Sequence, residues 1–482
     1  MQFLPRVFPL PGAVDFERLL RAWRARPGLV ALDSAGGSPA RWSLVAFDPL
    51  LGLRTPRGLG DVREFLTELR AVPGDPLPGP FHGGFLGALG YDLGVIGERQ
   101  SLPLDPWNSP PVAGGLYTDF ACLDHENHRA WLVLGEDPGD GRPDVDERRA
   151  ALCDALERAA PPPEPGDEGP RASAFGVGPL VRHVPSTTHC ARVEEIRRRI
   201  ARGDLYQANL AHRFTRATRG HPVDLYLRLR GVERAPYMGF LAWGPQGGRC
   251  AGALLCASPE LLLECADNVA RSRPIKGTAP RGADPVEDRR RKQELLTSEK
   301  DLAELAMIVD LVRNDLGRVA RPGGVRVEGF PTLETYASVH HLVADVCAEL
   351  AAGQDAGDVL AALFPGGSIT GAPKLASMRT IADLEGEGRG FFSGSLGFLD
   401  LRGHGCWNIL IRTLVWRPRA GEGAADGEVS FHVGGGITWS SEAQAEERET
   451  RLKGAALAAA LAGPGEAVET LGAVVALPTA AT

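Results

Sequence analysis

Short apolar runs dominate the hydrophobic pattern of this chain, and glycine, proline or polar residues bound most of them. Such runs predict β-strands. They include LVALDS, WSLVAF and HRAWLVLG in the first third of the chain, and FLAWG, ALLCASPELLLE, GGVRVEG, FFSGSLGFLDL, NILIRTLVW and EVSFHVGGGI further on. Consecutive runs are joined by short turns, an order that favours antiparallel pairing over regular β–α–β alternation. The pattern therefore predicts an α+β fold.

Longer segments with helical periodicity predict helices over residues 15–26, 144–159, 188–202, 288–316 and 441–461. The stretch AAPPPEPGDEGP (159–170) combines proline, glycine and acidic residues, which prevent a helix or strand from continuing. It predicts an exposed linker. The linker would separate an N-terminal region, 1–158, from a larger domain, 171–462, and a loosely held tail would follow at 463–482.

Composition and charge exclude several function classes. The 482 residues are 43% hydrophobic and 24% charged, which is typical of a globular chain. The net charge is -8 and basic residues are scattered among acids, so no surface for nucleic acid is predicted. No apolar run approaches the roughly 20 residues that span a bilayer, and prolines interrupt the N-terminus where a signal peptide is apolar. We expect a cytoplasmic protein whose eight cysteines, with no C-x-x-C pair, are small buried residues.

Two predicted helices each carry carboxylates on one face. Asp301 and Glu304 are three residues apart, and Glu446, Glu449 and Lys453 occupy positions i, i+3 and i+7. Each set alone fits a solvated helix face, because acids in the first turns complement the helix dipole and Glu449 with Lys453 forms a favourable exposed pair. If the two helices face one another, the carboxylates supply the hard oxygen ligands that Mg²⁺ prefers.

Two glycine-rich segments could approach a ligand through the backbone. FPGGSITGAPK (364–374) could receive an anion on its N–H groups, but its spacing differs from that of a nucleotide-binding P-loop. The second segment, HVGGGITWSSE, places Gly434, Gly435 and Gly436 at the end of a predicted strand, directly before the second acidic helix. These glycines either admit a ligand to the backbone or form a tight turn.

The motifs together resemble those of the chorismate-utilising enzymes. They are SPE (258–260), PIKGTAPRG (274–282), MIVDLVRNDLGR (307–318), HLV (341–343), FPGGSITGAPK, IRTL (411–414), and GGGI followed by AEERETRLK. The resemblance covers about 193–461, with weaker similarity at 31–49 and 83–94. It implies a large fold of stacked, mainly antiparallel β-sheets flanked by helices. It also implies that 1–158 is similar to the N-terminal domain of anthranilate synthase component I.

Lys276 indicates the branch of the family. A lone lysine is usually solvated, but a lysine in PIKGT resembles the aminodeoxychorismate synthases, whereas anthranilate synthases carry alanine there. DLYQANLAHRF (204–214) is similar to the same branch. The resemblance implies conversion of chorismate and ammonia into 4-amino-4-deoxychorismate, for 4-aminobenzoate and folate synthesis. Anthranilate synthase is the nearest alternative. A non-catalytic amino-acid-binding regulator is another, because LDSA (32–35) lies where relatives bind tryptophan.

The resemblance also implies how the substrate is held. Chorismate carries two carboxylates. The ring carboxylate would be held by Mg²⁺, by Lys453 and by the backbone of the glycine triplet. Arg412 would bind the enolpyruvyl carboxylate through the two N–H groups of its guanidinium fork. Four carboxylates would surround the Mg²⁺, the first two directly and the others nearby or through water: Glu304, Glu449, Asp301 and Glu446.

The implied chemistry centres on Lys276, which would attack ring carbon 2 as a neutral amine while the 4-hydroxyl leaves. Glu260 would protonate that hydroxyl. Thr278 and His341 would contact the ring or the hydroxyl, although His341 fits a core histidine nearly as well, and His340 is interpreted as structural.

The sequence also bears on the source of ammonia, and it departs from the family pattern at two places. The chain has no recognisable glutaminase motif, so ammonia would come from solution or from a separate glutamine amidotransferase subunit. Cys406 and Trp407 stand where relatives usually have an aspartate and a small polar residue, and Asp301 stands where several carry glutamate. These departures bear on substrate placement.

Overall fold

A computed structural model describes residues 1–11, 14–34, 41–52, 59–95, 103–137, 139, 141–159, 175–244, 250–336, 339–419 and 426–462. The predicted tail, and the predicted linker apart from its first residue, lie outside these ranges. The helices are α1 (Phe16–Trp23), α2 (Gly60–Leu66), α3 (Val145–Arg158), α4 (Ser186–Ala201), α5 (Pro222–Val232), α6 (Pro285–Leu296), α7 (Glu299–Gly317), α8 (Ala356–Leu363), α9 (Gly367–Thr370), α10 (Lys374–Glu385) and α11 (Ala443–Leu461), with a 3₁₀ turn at Tyr91–Val95.

The strands of the described ranges are β1 (Gln2–Pro9), β2 (Val30–Asp33), β3 (Trp42–Ala46), β4 (Leu51–Gly52), β5 (Arg70–Ala71), β6 (Gly84–Leu89), β7 (Val112–Tyr117), β8 (Phe120–Asp124), β9 (Arg129–Glu136), β10 (Gly176–Arg182), β11 (Gln207–Arg219), β12 (Tyr237–Trp243), β13 (Gly252–Ser258), β14 (Leu261–Ala266), β15 (Val269–Arg273), β16 (Ile275–Pro280), β17 (Ala320–Thr335), β18 (Val339–Leu350), β19 (Gly371–Ala372), β20 (Ser395–Asp400), β21 (Gly405–Asn408), β22 (Thr413–Pro418) and β23 (Asp426–Ile437).

These strands form two large sheets. The first has 13 strands in the order β10-β11-β23-β22-β13-β12-β2-β3-β8-β9-β1-β5, with β19 beside β11. The second has 10 strands in the order β16-β18-β15-β14-β21-β20-β6-β7-β4, with β17 beside β18. Apart from the parallel pair β1 and β5, the pairings among described strands are antiparallel. The predicted α+β fold with mainly antiparallel sheets is confirmed.

Strands from the first 158 residues complete both sheets. In the first sheet β2 pairs with β12, so that Leu32 lies opposite Gly239, and in the second β6 pairs with β20. The hydrophobic core crosses the same boundary, because the fully buried Trp407 ring of β21 stacks on Phe85 of β6 with centroids 6.2 Å apart. Trp407 is therefore a core residue that joins N-terminal and C-terminal strands.

The predicted helix over 288–316 is two helices in the structure. α6 ends at Leu296, and α7 begins after Ser298, whose hydroxyl accepts a hydrogen bond of 3.3 Å from the Asp301 N–H. A serine at this position satisfies an N–H group that the helix leaves unpaired, and so favours a new start. As a result, Asp301 and Glu304 lie in the first two turns of α7.

Within the described ranges no helix is long and apolar enough to cross a membrane. All eight cysteines are free thiols.

Replacement of Trp407 by alanine tests the shared core. Trp407→Ala should lower the free energy of unfolding by about 3–5 kcal/mol, because it removes a large ring from a close-packed interior. Chemical denaturation followed by circular dichroism measures the change. Trp439→Ala is the matched control, since Trp439 is 61% exposed and its loss should cost less than about 0.5 kcal/mol. Equal losses in the two variants would contradict the core position of Trp407.

Candidate active site

A cavity of about 660 Å³ opens where α7 and α11 meet the ends of β16, β18 and β23. Chain segments that are far apart in sequence supply its walls. With the exception of Gly435, the predicted site residues all line it: Glu260, Lys276, Thr278, Asp301, Glu304, His341, Arg412, Gly434, Gly436, Glu446, Glu449 and Lys453. Gly435 lies directly behind them, because a Cβ atom on it would be 3.3 Å from Glu446 Oε2.

The acidic faces of α7 and α11 meet in this cavity. α7 is held against the core by buried apolar residues, including Leu305 and Ile308, which each follow one of these acids by one helical turn. Burial raises the pKa of Glu304, the charges of Lys276 and Lys300 oppose that shift, and the nearby carboxylates of Asp301 and Glu446 add to it. One oxygen of this carboxylate, Glu304 Oε1, is buried and has no hydrogen-bond partner among the described residues. This oxygen is therefore available to a further ligand.

Glu446 and Glu449, the two glutamates of α11 that line the cavity, each have a polar partner. Glu446 Oε1 accepts a hydrogen bond of 2.7 Å from the Ser441 hydroxyl. Lys453 lies 2.7 Å from Glu449 Oε1 and lowers the pKa of that carboxyl group. The Lys453 ammonium also donates to the Gly434 carbonyl at 3.2 Å. These contacts hold Lys453 between the acidic helix and the glycine triplet.

Lys276 extends into the cavity from β16. Gly277 beside it has φ of +73°, a left-handed conformation that glycine adopts without strain, and the pairing of β16 with β18 shifts register there. The Lys276 ammonium donates to the Ser368 carbonyl at 3.3 Å. Burial lowers the pKa of Lys276, while the negative charge of Glu304 opposes that shift. A lowered pKa makes the neutral, nucleophilic amine more accessible.

Glu260 lines the cavity as a buried carboxyl group. The Ile275 N–H donates to Glu260 Oε1 at 3.4 Å, and the Glu260 N–H donates to the Ser258 hydroxyl at 3.2 Å. Burial raises the pKa of Glu260, with Lys276 acting in the opposite sense. A raised pKa favours the protonated acid, which is the form that can donate a proton to a leaving group.

His341 and Thr278 form a hydrogen-bonded pair, with His341 Nδ1 and Thr278 Oγ1 2.9 Å apart. Burial and the nearby Arg412 charge lower the pKa of His341 to about 3, so the imidazole is neutral at neutral pH. The adjacent His340 is fully buried and contacts Thr335 Oγ1 and an Asp288 oxygen, as expected of a structural histidine.

Arg412 is held in a strained backbone conformation, with φ of +50°. Its guanidinium forms an ion pair with Glu233, so one edge of the predicted carboxylate fork is occupied by a protein carboxylate. A non-glycine residue with positive φ persists only where its surroundings fix it. The backbone conformation and the ion pair thus fix Arg412 at the cavity wall.

Lys300 of the cavity and Gln207 beside it were missed by sequence reasoning. Lys300 lines the cavity with its ammonium 3.5 Å from Glu446 Oε1 and 3.8 Å from Glu304 Oε1. Gln207 is fully buried with both ends of its amide unpaired among the described residues, and its Nε2 lies 2.6 Å from where a Cβ on Gly436 would be. Gln207 falls inside the DLYQANLAHRF motif, which was the available signal. The sequence contained no signal for Lys300 apart from its position next to Asp301.

The donor set fits Mg²⁺ better than a softer metal. Among the described residues no group of three or more histidine, cysteine, aspartate and glutamate side chains is close enough to form a metal site by itself. However, the cluster offers only carboxylate oxygens, which are hard ligands, and the buried Glu304 Oε1 lacks a partner. Magnesium commonly takes one or two protein carboxylates and completes its shell with water and substrate oxygens.

The fold and the site together define a class of enzyme. The chain belongs to the chorismate-binding enzymes, because the sequence profile of that family matches residues 48–459. The family fold predicted from the motifs is therefore confirmed.

Neither Cys406 nor Trp407 lines the cavity. Of the LDSA motif, only Ala35 lies outside the described residues.

Individual relatives fall into both amination branches. The chain is 36% identical over 457 residues to anthranilate synthase component 1 of Streptomyces coelicolor, covering 94% of this chain and 85% of that protein. It is 32% identical over 465 residues to aminodeoxychorismate synthase component 1 of Bacillus subtilis, covering 93% and 94%. Among solved structures, anthranilate synthase component I of Streptococcus pneumoniae superposes with a TM-score of 0.71 at 28% identity, covering 86% and 92%. Overall similarity does not separate the two reactions.

Replacement of Gly436 by alanine tests the arrangement of the side chains around it. A Cβ on Gly436 would be 2.6 Å from Gln207 Nε2 and 3.3 Å from Lys276 Nζ, so Gly436→Ala should displace both side chains and reduce chorismate consumption at least about tenfold. The assay is the loss of chorismate with Mg²⁺ and ammonium, with circular dichroism as the check on folding. Gly231→Ala is the control, because a Cβ on Gly231 meets nothing within 4 Å. Equal turnover by the two variants would contradict this arrangement.

Proposed function

We propose that the chain is the chorismate-aminating component of an aminodeoxychorismate synthase, which converts chorismate and ammonia into 4-amino-4-deoxychorismate. The observation that carries the proposal is Lys276, whose amine lies in the cavity with a pKa lowered by burial. Relatives named aminodeoxychorismate synthase component 1 support it. Anthranilate synthase is the second candidate because of the Streptomyces coelicolor relative, but Lys276 replaces the alanine expected in that branch.

The positions of the cations suggest how chorismate would be oriented. Lys453 and the backbone of the Gly434–Gly436 triplet would bind the ring carboxylate, and Arg412 would bind the enolpyruvyl carboxylate. Glu304 and Glu449 would hold Mg²⁺ directly, with Asp301 and Glu446 nearby or through water. When bound, the ion would neutralise and orient the ring carboxylate. In this pose the ring lies between Lys276 and Glu260.

The reaction would then proceed in two displacements, first of the 4-hydroxyl by Lys276 and then of Lys276 by ammonia. The neutral amine of Lys276 would form a bond to ring carbon 2, the two conjugated ring double bonds would shift from carbons 1–2 and 5–6 to carbons 1–6 and 4–5, and the bond from carbon 4 to its hydroxyl would break. Glu260 would give its proton to that oxygen, which leaves as water. Ammonia would next bond to carbon 4, both double bonds would shift back, and the bond between carbon 2 and Lys276 would break to release the neutral amine. Thr278 and the neutral His341 would hold the departing hydroxyl by hydrogen bonds.

Ammonia would come from solution or from a separate glutamine amidotransferase subunit. The chain has no recognisable glutaminase motif, and the relatives called component 1 are named as one part of a two-part enzyme. We place the reaction in the cytoplasm, on the route to 4-aminobenzoate and folate. The acidic pairs and Lys276 in one cavity argue against a purely regulatory, amino-acid-binding role.

Lys276 provides the sharpest test of the mechanism. Lys276→Ala should abolish formation of 4-amino-4-deoxychorismate while chorismate still binds, because the groups proposed to bind its carboxylates lie elsewhere in the cavity. Wild type mixed with chorismate and Mg²⁺ without ammonia should show an adduct on the peptide that contains Lys276 by mass spectrometry. Lys292→Ala, which removes a lysine paired with Asp288 on α6, is the control. An alanine variant with wild-type turnover and no wild-type adduct would refute the covalent route.

Glu304 provides the test of the metal assignment. Glu304→Gln keeps the shape of the side chain but removes the charge, and should reduce turnover by about 100-fold or more with the fold intact. Turnover is measured against Mg²⁺ concentration. Glu299→Gln, an exposed change on the same helix, should behave like wild type. Full wild-type turnover in excess chelator would contradict a role for Mg²⁺.

A further inference from the structure

Lys300 occupies a position that its own helix disfavours. It lies in the first turn of α7, where the helix dipole is positive and a cation is unfavourable. It also precedes Glu304 by four residues, which is the less favourable order for an acid–base pair on a helix. Local helix energetics therefore do not explain a lysine here, and its contacts with the rest of the cavity must be considered.

Those contacts are with carboxylates of two different helices. The Lys300 ammonium lies 3.8 Å from Glu304 Oε1 on α7 and 3.5 Å from Glu446 Oε1 on α11. The two glutamate side chains are only 13% and 4% exposed, whereas that of Lys300 is 44% exposed. The lysine thus reaches from solvent to a pair of buried acids that would otherwise repel one another across the helix interface.

The ammonium neutralises these acids without forming a short hydrogen bond to either oxygen. Glu446 Oε1 is satisfied by Ser441, and Glu304 Oε1 remains without a hydrogen-bond partner among the described residues. At these separations the contact is mainly electrostatic, and nearly half of the Lys300 side chain faces solvent. Lys300 can therefore leave the carboxylates by rotation of its four-carbon stem into solvent.

We propose that Lys300 is a built-in counter-cation that holds the carboxylates of α7 and α11 together in the absence of a divalent ion and competes with that ion for them. This inference rests on the proposed function, which assigns Mg²⁺ to the same carboxylates. A divalent ion at Glu304 would repel the nearby ammonium, so the lysine withdraws when the ion binds. Lys300 thereby lowers the affinity of the site for the ion and stabilises the ion-free protein.

Divalent-ion binding without chorismate tests this directly. In Lys300→Met, Mg²⁺ and Mn²⁺ measured by isothermal titration calorimetry at fixed ionic strength should bind about five- to tenfold more tightly than in wild type, because one competing charge is gone. Lys300→Arg, which keeps the charge, should stay close to wild type. Arg313→Met is the matched control, since it removes an exposed cation from the same helix that pairs only with Asp310 in the described contacts, and it should leave the affinity unchanged.

Thermal unfolding gives a second readout. Ion-free Lys300→Met should melt below ion-free wild type, and saturating Mg²⁺ should raise its melting temperature by more than it raises that of wild type. If Lys300→Met fails to fold, Lys300→Gln replaces it in both measurements.

The outcomes separate this inference from the proposed function. Equal or weaker ion binding by Lys300→Met, with wild type still binding Mg²⁺, overturns the counter-cation role and leaves the proposed function intact. Wild type that binds neither ion overturns both the metal assignment and the role of Lys300. Tighter binding by Lys300→Met and not by Arg313→Met supports the competition.

Discussion

The enclosure of opposite charges in one cavity is the constraint on which the site depends. A buried carboxylate is costly unless a cation or hydrogen bonds compensate it, and a buried ammonium is costly for the same reason. In this cavity the lysines of β16, α7 and α11 lie among the acids of α7 and α11, so each sign reduces the cost of the other. Two of the buried groups have pKa values shifted in the directions that the proposed chemistry needs. Lys276 moves toward the neutral amine and Glu260 toward the protonated acid.

The two sheets make this enclosure possible by bringing distant segments together. β16 supplies Lys276, the proposed nucleophile, at a register shift beside Gly277, where a Cβ atom would be 3.0 Å from Asp301 Cβ. β23 supplies a glycine edge, and α11 follows it directly with the second pair of acids. Because N-terminal strands complete both sheets, the site is supported by a core that extends through the described parts of both halves of the chain. A rigid support of this kind keeps charged side chains at fixed separations.

Much of the fold could be predicted from local patterns, and most residues of the cavity from the motifs that the chain shares with the chorismate-utilising enzymes. Alternating apolar runs indicated the strands, and the spacing of Asp301 and Glu304 placed their carboxylates on one helix face. The break between α6 and α7 was missed because the cap at Ser298 interrupts a pattern that stays helical on both sides. Trp407 raised a question of substrate placement that only its packing on Phe85 answers.

The remaining features depend on tertiary contacts that no local pattern encodes. Lys300 looks like an ordinary surface lysine until α11 is brought opposite α7. The ion pair between Arg412 and Glu233 joins residues that are 179 apart in sequence. Gln207 is identified by its unsatisfied amide in a buried position, which is visible only once β11 and β23 are paired. Long-range contacts of this kind determine the electrostatics of the cavity and therefore its chemistry.

The most direct test of the account is the identity of the product made by the purified chain from chorismate, Mg²⁺ and ammonium. Anthranilate and 4-amino-4-deoxychorismate arise from attack at different ring carbons, and chromatography with mass and absorbance detection separates them. The account predicts 4-amino-4-deoxychorismate as the main product, because the Lys276 amine occupies the side of the ring at carbon 2 and leaves carbon 4 for ammonia. Anthranilate as the main product would contradict it.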